Sequence, residues 1–409
     1  MTAVVDASTL SEWRGKAITI PRPTKRDEAW RYAPLSELAA LEFGDAAAVA
    51  IPEDVDAQIP ALDGPTIVIV NGAVDTGRST LGAATNGLSL SSLAEALDAN
   101  ASQISLHYAP KLGADPDAFK ALNSAFATDG AVVQVAPGTH LEAPIHVVNI
   151  SLPEADNAST ASGIVIEVGA GSQATVVETR IGAGAAGASS VRTTVSLGAE
   201  ATLDHVILQD APANQVHLCQ VEATQGAGSV LNSRSFNLGA SYGRIDYAVS
   251  LVGEGAHADL VGLYFGLGAQ TLDQQINVVH AAPNCTSRQS FRGVLDDEST
   301  GVFNGGIDVR PGADGTDAEQ ANDNLLLSMR AEINTQPRLE ILADEVACKH
   351  GATVGQLDDT ALYYMRSRGI PADEARRLLV NGFADQQVDE LSIESLRGWV
   401  IDRLGHADA

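Results

Sequence analysis

The chain has 409 residues and is 45% hydrophobic, enough for a large folded core of two or three domains. Its 38 glycines and 4% aromatics suit many short strands and tight turns better than an aromatic-rich core. The formal net charge of −27 excludes the basic footprint that nucleic acid needs, and it repels acidic polysaccharides and anionic membrane surfaces.

Met1 to Leu10 contains Asp6 and no apolar segment of signal-peptide length, and no apolar run in the chain is long enough to span a bilayer. Three sparse cysteines, Cys219, Cys285 and Cys348, do not form a disulfide framework. A cytoplasmic, thiol-reducing setting is therefore expected. Residues 1–130 have a mixed pattern. Thr66–Val70 reads as a strand ended by the turn pair Asn71-Gly72. Ser91 to Leu97 reads as a capped helix start. A second helix is expected to open with Asp115 as N-cap and Pro116 at its first position, run through Phe119 and Leu122, and stop before Gly130.

Residues 131–345 differ. Short runs rich in Val, Ile and Thr, such as Ile164–Val168 and Ala174–Glu178, alternate with glycine turns. Turn glycines at 138, 169, 198, 226 and 255 recur roughly every 30 residues, the mark of a repeat architecture. Each repeat would bury its apolar face only against its neighbours. A parallel β-helix fits this pattern best, and a β-sandwich is the competing fold. Residues 346–409 read as helical. One segment holds Leu362, Tyr363, Met365 and Arg366 and closes at Gly369. Pro371 opens the next, which is expected to end before Gly382. Ser392 caps a last helix with Leu396, Trp399, Val400 and Leu404.

The run His280–Gln289, with Pro283, Asn284 and Cys285 at its centre, resembles the SufB/SufD family of iron–sulfur cluster assembly proteins. So do Val302–Ile307, Thr316–Gln320, Asn324–Ser328, Pro337–Ile341, Cys348–Thr353 and Tyr364–Gly369, in the same order. Glu28-Ala29-Trp30-Arg31-Tyr32 is similar to the N-terminal signature of SufD-like members. SufB-like members carry Glu directly after the His that matches His350. Here that position is Gly351, which favours the SufD-like branch. The resemblance implies a right-handed parallel β-helix between N-terminal and C-terminal helical domains. It also implies a complex with a SufB-like paralogue and two copies of a SufC-like ABC ATPase. The paralogue would pair through the β-helix and the ATPase would bind the C-terminal domain. A scaffold role linked to iron entry follows, with no cofactor in the isolated chain and iron or a cluster held transiently at the SufB–SufD interface. A flavin is associated with the assembled complex in this family, but no motif here marks a site for it.

If residues 346–354 form a strand, Cys348 and His350 share one face. Thiolate and imidazole both suit iron, yet two ligands hold neither a cluster nor a tetrahedral metal, so the others would come from another chain. The purely structural reading is a buried thiol and a hydrogen-bonded His in the last rung. Cys219 with His217, Cys285 and His280 read as core or turn residues. Asp296, Asp297 and Glu298 read as a solvated turn. Tyr363, Tyr364, Arg368 and Phe383 are candidate anchors for the ATPase within 355–390. Gly182, Gly184 and Gly187 lack the following helix of a dinucleotide loop, and no Walker Gly-Lys-Ser/Thr occurs, so nucleotide hydrolysis is not expected of this chain.

Two alternatives compete with a non-catalytic scaffold. A carbohydrate-active β-helix enzyme, a lyase or hydrolase, would account for the rungs but would need export and aromatic sugar platforms. A SufB-like primary scaffold is opposed by Gly351 and the few cysteines. Open strand edges at a β-helix end also favour a homodimer of the isolated chain.

Overall fold

The computed structural model describes residues 7–45, 49–99 and 117–405. Its centre is two mainly parallel sheets, of eleven and ten strands, between which the chain passes back and forth. The first sheet contains Gly130–Val135, Ala158–Val168, Ala188–Leu197, Val216–Gln225, Tyr242–Leu251, Thr271–His280, Thr300–Val309 and Glu332–Ile341. The second interleaves Ile145–Ser151, Gln173–Gly182, Thr202–Asp210, Val230–Asn237, His257–Gly266, Thr286–Leu295, Asp317–Leu326 and Ala347–Gln356. Each strand pairs in parallel with the strand two places on, as in Val195 with Ile166 on one side and Ala223 on the other. That register defines a parallel β-helix and rules out the β-sandwich.

The glycine period has two physical causes. A Cβ on Gly198 would lie 2.6 Å from the backbone nitrogen of Ala170 in the preceding rung, so the corner closes only without a side chain. Gly255, at φ +71°, instead takes the left-handed conformation that glycine adopts without penalty.

Between the sheets lies a continuous apolar core that includes Val176, Val195, Leu203, Val221, Ile245, Leu260 and Phe291. The outward faces are apolar only where helices cover them. On the first sheet, Ala188, Val216, Leu218 and Tyr242 pack beneath Trp30, Leu38, Phe119 and Leu122. On the second, Leu208, Phe236, Leu263 and Val294 pack against the helices Ala372–Val388 and Glu394–Gly405 through Val380, Ala384, Leu396 and Val400. Arg376 to Asp296 at 2.8 Å and Arg403 to Asp210 at 2.6 Å fasten those helices. Asp296 is thus an anchor rather than part of a purely solvated turn.

Several local expectations meet the structure directly. Thr66–Val70 is a strand, and Asn71 and Gly72 both have positive φ at its turn. Ser92 caps the helix Leu93–Asp98 by accepting from the Glu95 N–H. Asp115 and Pro116 lie outside the described residues. The described helix runs Ala118–Phe126 and is capped by Asp117, which accepts from the Phe119 and Lys120 amides. Strand pairing continues past 345 through Gln356, and helix begins at Asp359. The helix expected to end before Gly382 runs on to Val388. Its apolar face, Val380, Ala384 and Val388, stays buried against the sheet across the glycine, and that packing outweighs a propensity cost of about 1 kcal/mol.

The core also holds charge. Glu178 and Arg180 are 1% exposed and point between the sheets. The guanidinium of Arg180 pairs with the Glu178 carboxylate. Glu178 also accepts from Thr193 at 2.9 Å and meets His205 Nε2 at 2.8 Å. Burial alone would raise its pKa, but Arg180 and His205 reverse this and hold the carboxyl at about 2. Removing one member of a buried ion pair strands the other's charge. Glu178→Gln should therefore lower unfolding stability by about 3–5 kcal/mol, read from the urea midpoint by circular dichroism. An unchanged midpoint would contradict this account of the pair.

Candidate functional site

The two ends of the β-helix differ. At the start, antiparallel strands finish both sheets: Leu88–Ser92 lies against Gly130–Val135, and Ala73–Val74 folds back on Thr66–Val70. At the other end, Glu332–Ile341 and Ala347–Gln356 are the last strands of their sheets and have no strand beyond them among the described residues. An unpaired edge presents a row of backbone donors and acceptors ready to take another strand.

Cys348 and His350 lie on that final strand. Its register sets Cys348 over Ala318, His350 over Gln320, Ala352 over Asn322 and Val354 over Asn324. The lower residues of these pairs are buried and point between the sheets, so Cys348 and His350 belong to the inward row of the last rung. They are neighbours on one face, as the two-residue period requires. Cys348 packs with Val346, Leu339 and Ala343 over Ile307, Val309 and Ala318, and partial burial pushes its thiol pKa up. His350 is exposed. Beneath it, Gln320 donates to Gln289 at 2.7 Å, while the Gln320 Oε1 is buried without a hydrogen-bond partner. Val354, Ile341 and Leu342 are exposed hydrophobic residues on the same end. No group of three or more His, Cys, Asp or Glu able to hold a metal occurs among the described residues.

The four anchor candidates divide. Tyr363 and Tyr364 are 74% and 58% exposed on the helix Asp359–Ser367. Arg368 joins them by donating to the Tyr364 hydroxyl at 3.1 Å. Phe383 lies apart on the next helix and is half-buried under Arg292, whose guanidinium carbon is 4.8 Å from its ring centroid. Its backbone oxygen accepts from the same arginine.

The other cysteines and histidines singled out in the sequence lie inside the fold. Cys285 is buried in a turn, with Sγ 3.3 Å from the Gly253 oxygen. His280 Nε2 meets Ser287 Oγ at 2.9 Å. Cys219 and His217 point into the core beside Arg180, and burial raises the Cys219 thiol to about 11. The buried Glu178–Arg180–His205 group went unpredicted. The strand Gln173–Gly182 is apolar toward both the core and the helices, so alternation there gives no sign of which face a charge takes.

These features define a β-solenoid with one capped and one open end, the open end carrying the thiol and the imidazole. Residues 151–383 match the family model described as SUF system FeS cluster assembly, SufBD core domain, and residues 6–147 match SufBD protein N-terminal region. The chain belongs to the SufBD family of the SUF iron–sulfur cluster assembly system and is SufD-like. It is 29% identical to the iron–sulfur cluster assembly protein SufD of Escherichia coli, across 94% of this chain and 88% of that protein. It is 30% identical to an iron–sulfur cluster assembly SufBD family protein of Mycobacterium leprae, across 94% and 90%. A Synechocystis SufBD family protein is 29% identical across 92% and 85%. No helix among the described residues is long and apolar enough to cross a membrane.

Burial makes a pH prediction. It lowers the pKa of His146 and His280 from 6.5 to about 4. Between those values the unfolded chain binds more protons than the folded one, so stability falls as pH drops from 6.5 to 4. Urea midpoints at pH 7, 5.5 and 4.5 should decline in that order, and His280→Gln should flatten the decline. A midpoint constant over that range would contradict it.

Proposed function

We propose that this chain is a non-catalytic SufD-like subunit that supports iron acquisition and cluster formation. In this reading it pairs through its open β-helix end with a SufB-like paralogue and binds a SufC-like ATPase through its C-terminal helices. The observation that carries the proposal is the asymmetry of the ends. One is capped by antiparallel strands, while the other presents two strand edges unpaired among the described residues, exposed Val354 and Ile341, and the inward row of Cys348 and His350. A second β-helix docked edge to edge would extend both sheets and enclose that row. Iron is then cargo at the junction. His350, with Cys348 beside it, could supply part of its coordination and the paralogue the rest. A reducing cytoplasm suits the free thiols.

The ATPase contact draws on Tyr363 and Tyr364, whose rings are exposed, with Arg368 beside them. Rigid aromatics and arginine are frequent anchors of interfaces. Phe383 would act indirectly, by seating its helix on the sheet. When the paralogue is absent, the same edges favour a homodimer. Membership of an assembly family also favours this reading over a carbohydrate-active enzyme.

Tagged chain co-expressed with SufB-like and SufC-like proteins from the same source should purify with one of the former and two of the latter. His350→Ala should leave that stoichiometry intact and lower the cluster formed per complex several-fold, read by absorbance and iron content. Partners that assemble fully without this chain would overturn the proposal.

A further inference from the structure

The signature Glu28–Tyr32 builds something that the pairing and ATPase contacts do not use. Trp30 is buried against Phe119, with ring centroids 5.0 Å apart, and the Arg244 guanidinium lies 3.9 Å from its ring centroid. Arg244 donates to the Ala29 oxygen at 2.6 Å and to Asp273 at 3.0 Å. Glu28, Ala29 and Tyr32 are thereby held as a wall over the outward face of the first sheet, just where its helical cover ends.

Two cavities of about 320 and 300 Å³ lie under this wall. They share Glu28, Ala29, Gln275 and Asn304, so they form one cleft with two chambers. The first chamber adds Tyr32, Val302, Phe303 and Ile333 together with Asp273, Asn334 and Thr335, so an aromatic and aliphatic strip lies there among polar groups. The second adds Arg244, Asp246, Asn277 and Arg338 beside Tyr247 and Ile276, and holds both arginines of the cleft. Together they fall in the size range of small-molecule sites. In-register pairing stacks Gln275, Asn304 and Gln336 across three rungs of the floor.

Most of these polar groups are already engaged. Gln275 donates to Asp273 at 2.7 Å, Gln336 bonds Glu28, Asn277 accepts from Arg338, and Arg244 pairs with Asp273 and Asp246. Asn304 makes no side-chain hydrogen bond among the described residues, and it stands where the chambers meet. Its amide offers one acceptor and two donors side by side, the pattern that pairs with a nucleobase edge. The carboxylate of Glu28 is the group type that holds sugar hydroxyls. The charges of the lining nearly cancel, and the chain as a whole is strongly acidic, so an anionic ligand gains little. An extended peptide lying across the rungs fits poorly. Its same-side residues repeat every ~6.6 Å, whereas the rungs step by ~4.8 Å.

We propose that this cleft binds an uncharged nucleoside, with the base against Tyr32 and Val302, the base edge on Asn304, and the sugar in the second chamber. The site lies on the outward face of the first sheet, and Asn334, Gln336 and Arg338 of its lining sit on the terminal strand Glu332–Ile341, so the test uses the chain free of its paralogue. The test is calorimetric titration of the purified full chain with adenosine, guanosine, cytidine and uridine, alongside adenosine monophosphate and glucose. At least one nucleoside should bind, its monophosphate no more tightly, and glucose not measurably. Asn304→Ala should weaken nucleoside binding about tenfold or more without moving the melting temperature, and Val302→Glu should block the base chamber. No binding of any of the four nucleosides at millimolar concentration would overturn the proposal, as would binding unchanged in Asn304→Ala or equal affinity for glucose.

Discussion

Every rung of this molecule is completed by the next one. A strand pair about ten residues long buries one face and satisfies its backbone only when another rung lies above it and another below. The inward row therefore continues from Ile145–Ser151 through successive registers to Ala347–Gln356, beyond which no strand follows among the described residues. The exposed His350, the partly buried Cys348 and the bare Val354 are consequences of that single interruption. Their chemistry is available because the stacking stops there.

The same dependence explains the helices. Outward positions of a solenoid sheet are apolar only where something covers them. The N-terminal helices and Trp30 cover the first sheet from Ala188 to Tyr242, and the C-terminal helices cover the second around Leu208 to Val294. Beyond the N-terminal cover, the first sheet changes to amides and carboxylates such as Gln275, Asn304 and Gln336. That change of chemistry sets the boundary between a packed face and a cleft.

Much of this was legible in the sequence. The glycine period gave the rung length because corner stacking, as at Gly198 against Ala170, forbids a side chain at a fixed interval. Cys348 and His350 fell on one face by strand alternation alone. Other features needed tertiary context. Gly382 looked like a helix end but lies within a helix whose buried face continues past it. Glu178 and Arg180 lie in a strand covered on both sides, where alternation cannot tell a core-facing charge from one facing the helices. The cleft unites Glu28 with Gln336, more than 300 residues later in the chain, a juxtaposition that no local pattern encodes.

The claim on which the functional account depends is that the two terminal strands are a docking edge. Hydrogen–deuterium exchange followed by mass spectrometry tests it most directly, with the chain alone at low concentration and then with the SufB-like paralogue. The account predicts fast exchange in Glu332–Ile341 and Ala347–Gln356 for the free chain and strong protection of both on mixing, with the central strand Val216–Gln225 protected throughout. Terminal strands that keep exchanging while protection appears elsewhere would contradict it.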